Sequence, residues 1–184
     1  MEQEQFKKED SIITIEVFMK KFSPVSMVME YRHVKTVKDA IESEPNALSY
    51  YSKHVGDSVV IGMIEAHIFG LNDSINVKSP LKPLQMKEIA VEIESTFFYL
   101  SMAEIFYVFR QAKLGKLGKL YGALSMEVIL DWFEKYSMER SNHFINNQMR
   151  VHDKYKDDSL RSDEKKELRR HNEIITDHKN KDNG

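Results

Sequence analysis

The sequence predicts an all-α protein, an irregular or orthogonal bundle of about seven helices followed by a charged C-terminal tail. Two features carry that prediction. Apolar side chains recur at helical spacing in one segment after another, most clearly Val60, Ile61, Ile64, Ile68 and Leu71 on one stripe. Capping residues, glycines and prolines punctuate these segments at lengths usual for helices. At 184 residues the chain fits one domain with room for a proper core, expected over 1–150, and a charged tail over 151–184.

The first element is expected over Ser11 to Phe22. Its β-branched run IITIEVF suits a strand, but Ile15, Phe18 and Phe22 keep helical spacing, which favours a helix. Ser23-Pro24 interrupts it, because proline disfavours helical geometry in the residue before it. Thr36 is placed to cap a short helix that ends before Pro45, and Asn46 to cap ALSYYSKHV, which Gly56 terminates. Asp57 then caps a longer helix to about Leu71; His67, inside it, reads as a partly buried, hydrogen-bonded core histidine. The segment Asn72 to Pro83 has linker composition and marks a subdomain break at 72–83.

Leu84 to Thr96 reads as a helix burying Ile89, Ala90 and Ile93, with Phe97 beyond its end. Ser101 and Glu104 form a capping box, in which each side chain satisfies an otherwise unpaired amide. The helix they open carries Met102, Ile105, Phe106 and Phe109 inward, with Tyr107 and Arg110 leaning outward. After Ser125, Met126, Ile129, Leu130 and Phe133 share a face with Trp132 beside it, and a long helix with a thin centre at SMERSN continues to Phe144 and Ile145. From Val151 on, large apolar residues are few, and such a segment cannot offset its ordering entropy by burial.

Composition excludes several classes of function. Lysine plus arginine number 27 against 29 aspartate plus glutamate, so any electrostatic function is local. With no cysteine, disulfide frameworks, thiolate zinc sites and cysteine nucleophiles are out of reach. The acidic start MEQEQFKKEDSIITIEVF does not fit a signal peptide, and the longest apolar run, Val59 to Ile64, is too short to span a bilayer. The expected setting is the bacterial cytoplasm, with no membrane partner. Glu88 and Glu92 stand one helical turn apart, but no E-x-x-H partner follows, the histidines lack ligand spacing, and no glycine-flanked serine suggests a nucleophile elbow. The reading is a non-enzyme with no metal and no cofactor.

The chemistry concentrates in AKLGKLGKLYGALS, Ala112 to Ser125. Between Glu104 and Glu127 no acidic residue occurs, while Arg110, Lys113, Lys116 and Lys119 recur at a spacing of three and Tyr121 follows. Glycines such as Gly115, Gly118 and Gly122 allow backbone amides to approach a phosphate, the cations would supply charge, and the tyrosine could stack on a base. A plainer reading accounts for part of this: Gly115 is an ordinary helix terminator, and Arg110 and Lys113 complement the carbonyl end of a helix. More specific motifs fail. Each Gly-Lys step is followed by leucine where a Walker loop needs serine or threonine, a KH clamp needs strands that are not credible here, and the loop is longer than a helix-turn-helix turn.

Phe109, Arg110, Ala112, Lys113, Gly115, Gly118, Tyr121, Gly122, Leu124, Trp132 and Tyr136 make the pattern F-R-x-A-K-x-G-x-x-G-x-x-Y-G-x-L followed by W-x-x-x-Y. Over Tyr99 to Arg140 this resembles a family of small proteins carried by gut-bacterial phages and conjugative elements, and is loosely similar to phage helicase-loader proteins. Ser125 stands where related sequences have aspartate; either caps a helix. The resemblance implies a role in replication or maintenance of a mobile element and supplies no reaction. The expected function is a non-enzymatic accessory protein contacting nucleic-acid backbone through Arg110, Lys113, Lys116, Lys119 and Tyr121. The alternative is an interaction adaptor or phage structural protein docking a replicative helicase or virion component through Tyr107, Trp132 and Tyr136.

Overall fold

The computed structural model describes residues 13–75, 78–118 and 123–150. Seven helices lie between Ile15 and Lys113, and an eighth, α8, occupies 126–150, making an all-α bundle. Within the described residues, pairing of extended backbone is limited to two single-residue bridges, Ala47 with Ser101 and Ser79 with Ala123.

The β-branched opening is helical. In α1 (Ile15–Phe22) the Thr14 hydroxyl accepts from the Val17 amide at 3.3 Å and caps the helix, while Ser11, the expected start, lies outside the described residues. Burial decides between helix and strand: Phe18 and Phe22 are fully enclosed and each ring lies 5.1 Å from that of Tyr51. Ser23-Pro24 does more than interrupt. Ser23 caps α2 (Pro24–Glu30), accepting from the Ser26 amide at 3.2 Å, and Pro24 takes the first helical position, where its missing amide costs nothing. With this unforeseen helix the described residues hold eight, in keeping with the bundle of about seven expected.

Thr36 and Asp39 form a full capping box on α3 (Val37–Ser43). For α4 (Leu48–Val55) the expected cap, Asn46, is displaced by Ala47, and the first amides are satisfied through tertiary structure. Leu48 N and Ser49 N donate to the carbonyls of Leu100 and Phe98 at 2.7 and 3.0 Å. Gly56, at φ 93°, ends α4 and directly precedes α5 (Asp57–Ser74); Asp57 is the first helical residue and not the cap. Its carboxylate still favours the positive end of the helix.

The helix α5 runs past Leu71 into the expected linker. Asn72 accepts from the Leu81 amide at 2.8 Å and donates to the Leu81 carbonyl at 3.3 Å, tying the connection to α6 (Pro83–Thr96). Because α5 packs directly on α6 within one compact unit, 72–83 joins two helices of a single core instead of separating subdomains.

The hub of the bundle is α5, which touches α1, α2, α4, α6 and α7 (Met102–Lys113). α7 is enclosed nearly all round, since α3 packs on it from another side and α8 covers it through Phe133, whose ring lies 5.4 Å from Phe109. A helix so enclosed must satisfy any polar side chain it carries. Glu104 does so by closing the Ser101 capping box and accepting from the Tyr136 hydroxyl at 2.9 Å.

The compact unit ends at Glu139. From Arg140, the described stretch of α8 carries local side-chain contacts of its own: the Arg140 guanidinium lies 5.0 Å from the Phe144 ring centre, and Asn147 donates to His143 at 2.9 Å. No helix among the described residues is long and apolar enough to cross a membrane. The expected charged tail, 151–184, lies outside the described residues.

Candidate functional site

The glycine–lysine stretch begins as a helix stop. Gly115, at φ 71°, donates its amide to the Ala112 carbonyl at 2.9 Å, and Lys116 donates to Gln111 at 3.0 Å. These two crossed bonds make a Schellman motif, which uses a left-handed residue to satisfy the last carbonyls of a helix. Gly118, at φ 107°, keeps the chain in a conformation that side chains disfavour. Lys119, Tyr121 and Gly122 lie outside the described residues.

The cations expected to project from this loop are divided between two places. Lys116 is exposed beyond the turn. Arg110, partly buried, reaches back to the connection between α2 and α3, where one Nη donates to the carbonyls of Val34 and Arg32 at 2.5 and 3.2 Å. Lys113 extends over α5, so that a methyl group added at Gly70 would stand 4.0 Å from its Nζ. Partial burial lowers the pKa of Lys113, and the nearby Asp73 opposes that shift. Of the expected row, Arg110, Lys113 and Lys116 are described, and they do not project together: Arg110 turns back onto the chain and Lys113 leans over α5, while Lys116 faces solvent.

Arg110 and Lys113 instead line a cleft of about 370 Å³ between α2, α5 and α7. Helical spacing explains its walls. Phe106, Phe109, Arg110 and Lys113 recur on one face of α7, His67 and Gly70 on one face of α5, and Pro24, Val28 and Arg32 on one side of α2 and the turn after it. Arg32, which sequence reasoning passed over, contributes the third cation, 78 residues away from Arg110 in the chain. Three cations and no carboxylate stand among the lining residues.

His67 is enclosed, as the sequence suggested, and its Nε2 pairs with the Phe22 carbonyl at 2.8 Å. A carbonyl only accepts, so Nε2 carries the proton. Burial first, and then the charge of Lys113, push the imidazole pKa down to about 4, while the Phe22 bond opposes the shift. The ring is neutral at physiological pH and adds no charge to the cleft floor.

Trp132 and Tyr136, expected on a docking face, are core residues at 3 % exposure each. Their helical spacing places them on the face of α8 that meets α7, and the ring centres of Tyr136 and Tyr107 lie 5.7 Å apart. Tyr107 remains half-buried. The large apolar side chains that do face solvent sit elsewhere, with Val25, Val28 and Met29 of α2 all more than half exposed.

Glu88 and Glu92 are exposed on α6, and Glu92 accepts from Thr96 at 2.9 Å. A heavily bonded carboxylate is Glu44, which receives Lys21 at 2.5 Å, Tyr51 at 2.7 Å, and Tyr31 and the Asn46 amide at 3.3 Å. Burial and the Glu44 carboxylate raise the pKa of both tyrosines, which therefore serve as neutral donors. So saturated a group, 1 % exposed, ties four segments together.

Comparison with protein-family models, with curated proteins and with solved structures finds no match.

Proposed function

We propose that this protein is a non-enzymatic accessory factor of phage or mobile-element DNA replication or maintenance that contacts nucleic-acid backbone at the C-terminal end of α7. The observation that carries the reading is the gathering of Arg32, Arg110 and Lys113 around one cleft without a lining carboxylate, with exposed Lys116 just beyond the turn. Phosphate binding needs local positive charge more than net charge, and the whole chain has a formal charge of only −2. Arg110 takes a supporting part, since its guanidinium holds the turn that presents Arg32. The resemblance over Tyr99 to Arg140 supports the setting, and Lys119 and Tyr121 extend the proposed contact.

The test is a titration of duplex DNA at several salt concentrations. Contacts from Arg32, Lys113 and Lys116 correspond to a log–log salt slope of about −3. A folded Lys113→Glu/Lys116→Glu variant is expected to bind more weakly and with a shallower slope. An unchanged affinity and slope would remove the proposal.

A second reading is favoured by the apolar side chains of α2. Val25, Val28 and Met29 are exposed beside the cleft and suit a protein partner, such as a replicative helicase or a virion component. A complex of the purified proteins that survives high salt and is lost in Val25→Asp/Met29→Asp would support it.

A further inference from the structure

We infer that the cleft between α2, α5 and α7 binds a small amphiphilic anion, its carboxylate or phosphate head held by Arg32 and Lys113 and its apolar body lodged against Pro24, Val28, Phe106 and Phe109. The inference goes beyond the nucleic-acid reading and does not rest on it, because such a ligand needs neither a base nor a polyanionic backbone.

Size and lining fit a ligand site. The volume of about 370 Å³ falls within the range of small-molecule pockets, whose walls are mostly apolar with a few convergent polar groups. The sign of the charge selects the ligand. Lys113 forms no salt bridge among the described residues, and the partial loss of solvation at the cleft disfavours its ammonium form more than the nearby Asp73 favours it, so an arriving anion replaces the solvation that the cleft removes. The floor selects against a second charge deep inside: the His67 ring is neutral and its Nε2 proton is already committed to Phe22.

Gly70 adds an independent observation. It sits inside α5, where glycine is less favourable than alanine, yet its backbone is ordinary and a Cβ there would meet only Lys113 Nζ, at 4.0 Å. Neither a turn nor a close backbone approach asks for glycine at this position. Its effect is to leave the α5 wall of the cleft open. Gly62, in the same helix with nothing within 4 Å of an added Cβ and no place in the cleft lining, provides the control.

The experiment uses the full chain and the fluorescent probe 8-anilinonaphthalene-1-sulfonate, displaced by decanoate, decyl phosphate or decan-1-ol. Saturable displacement at one site per chain is expected for both anions, with the alcohol at least tenfold weaker; the ratio between the anions identifies the preferred head group. Gly70→Leu, with helicity checked by circular dichroism, is expected to weaken decanoate at least tenfold. Lys113→Met and Arg32→Met each weaken it at least threefold, and Gly62→Ala leaves it unchanged. Equal displacement by the alcohol, no saturable displacement by either anion, or undiminished binding in Lys113→Met and Arg32→Met would overturn the inference. Duplex DNA titrated in parallel keeps the two readings apart: Gly70→Leu retains every cation and is expected to bind DNA as the unaltered chain does.

Discussion

Tyr136 of α8 donates its hydroxyl proton to Glu104 of α7 at 2.9 Å, across 32 residues of sequence. The other oxygen of the same carboxyl accepts from the Ser101 amide at 2.8 Å, so one buried side chain both starts α7 and anchors α8. Removing the hydroxyl weakens this link in an enclosed site. Tyr136→Phe is expected to lower the unfolding free energy by about 1–3 kcal/mol, measured by urea denaturation, with the slope of the transition unchanged.

Arg110 and the turn between α2 and α3 are coupled by two hydrogen bonds to backbone carbonyls. Arg110→Met leaves those carbonyls short of a donor and is expected to cost about 1–3 kcal/mol. Arg110→Lys recovers only part of this, because an ammonium on a flexible stem does not reproduce the planar fork. Faster amide exchange in the 31–36 turn would place the loss where the contact lies. Exchange unchanged there, with full stability, would show that Arg110 is free for other work.

His67 gives stability a pH dependence with a definite sign. The unfolded ring takes up a proton near pH 6.5, whereas the folded ring resists until about pH 4. Between those values the unfolded state binds more protons, so stability falls as the pH falls through the window. From pH 7 to pH 4 the loss attributable to this residue is on the order of 3 kcal/mol. Urea unfolding of the unaltered chain and of His67→Gln at both pH values isolates it. Identical pH slopes in the two proteins would exclude a buried neutral histidine.

Gly115 lies at φ 71° with open space around it, so its backbone conformation and not its surroundings requires glycine. Gly115→Ala is expected to destabilise the protein by about 1–2 kcal/mol, seen as a lower thermal midpoint with a normal far-ultraviolet spectrum.

The chain's local chemistry determined much of its fold. Thr36 with Asp39, Ser101 with Glu104, and the stops at Gly56 and Gly115 all depend on groups within a few residues of one another, and they act as the sequence suggests. Ser23-Pro24 carried an equally local start signal, a capping serine before a proline at the first helical position, which the reading of proline as a breaker obscured. Tertiary structure alone decided what lies across the chain. The carbonyls of Leu100 and Phe98 stand in for a side-chain cap on α4, and the enclosure of α7 draws Trp132 and Tyr136 into the core. Arg110 turns from the loop to hold Val34, and Arg32 joins Lys113 at a cleft that no spacing in the sequence announces. Caps and turns are set by neighbouring residues, whereas a cleft depends on which helical faces meet, and long-range burial settles that.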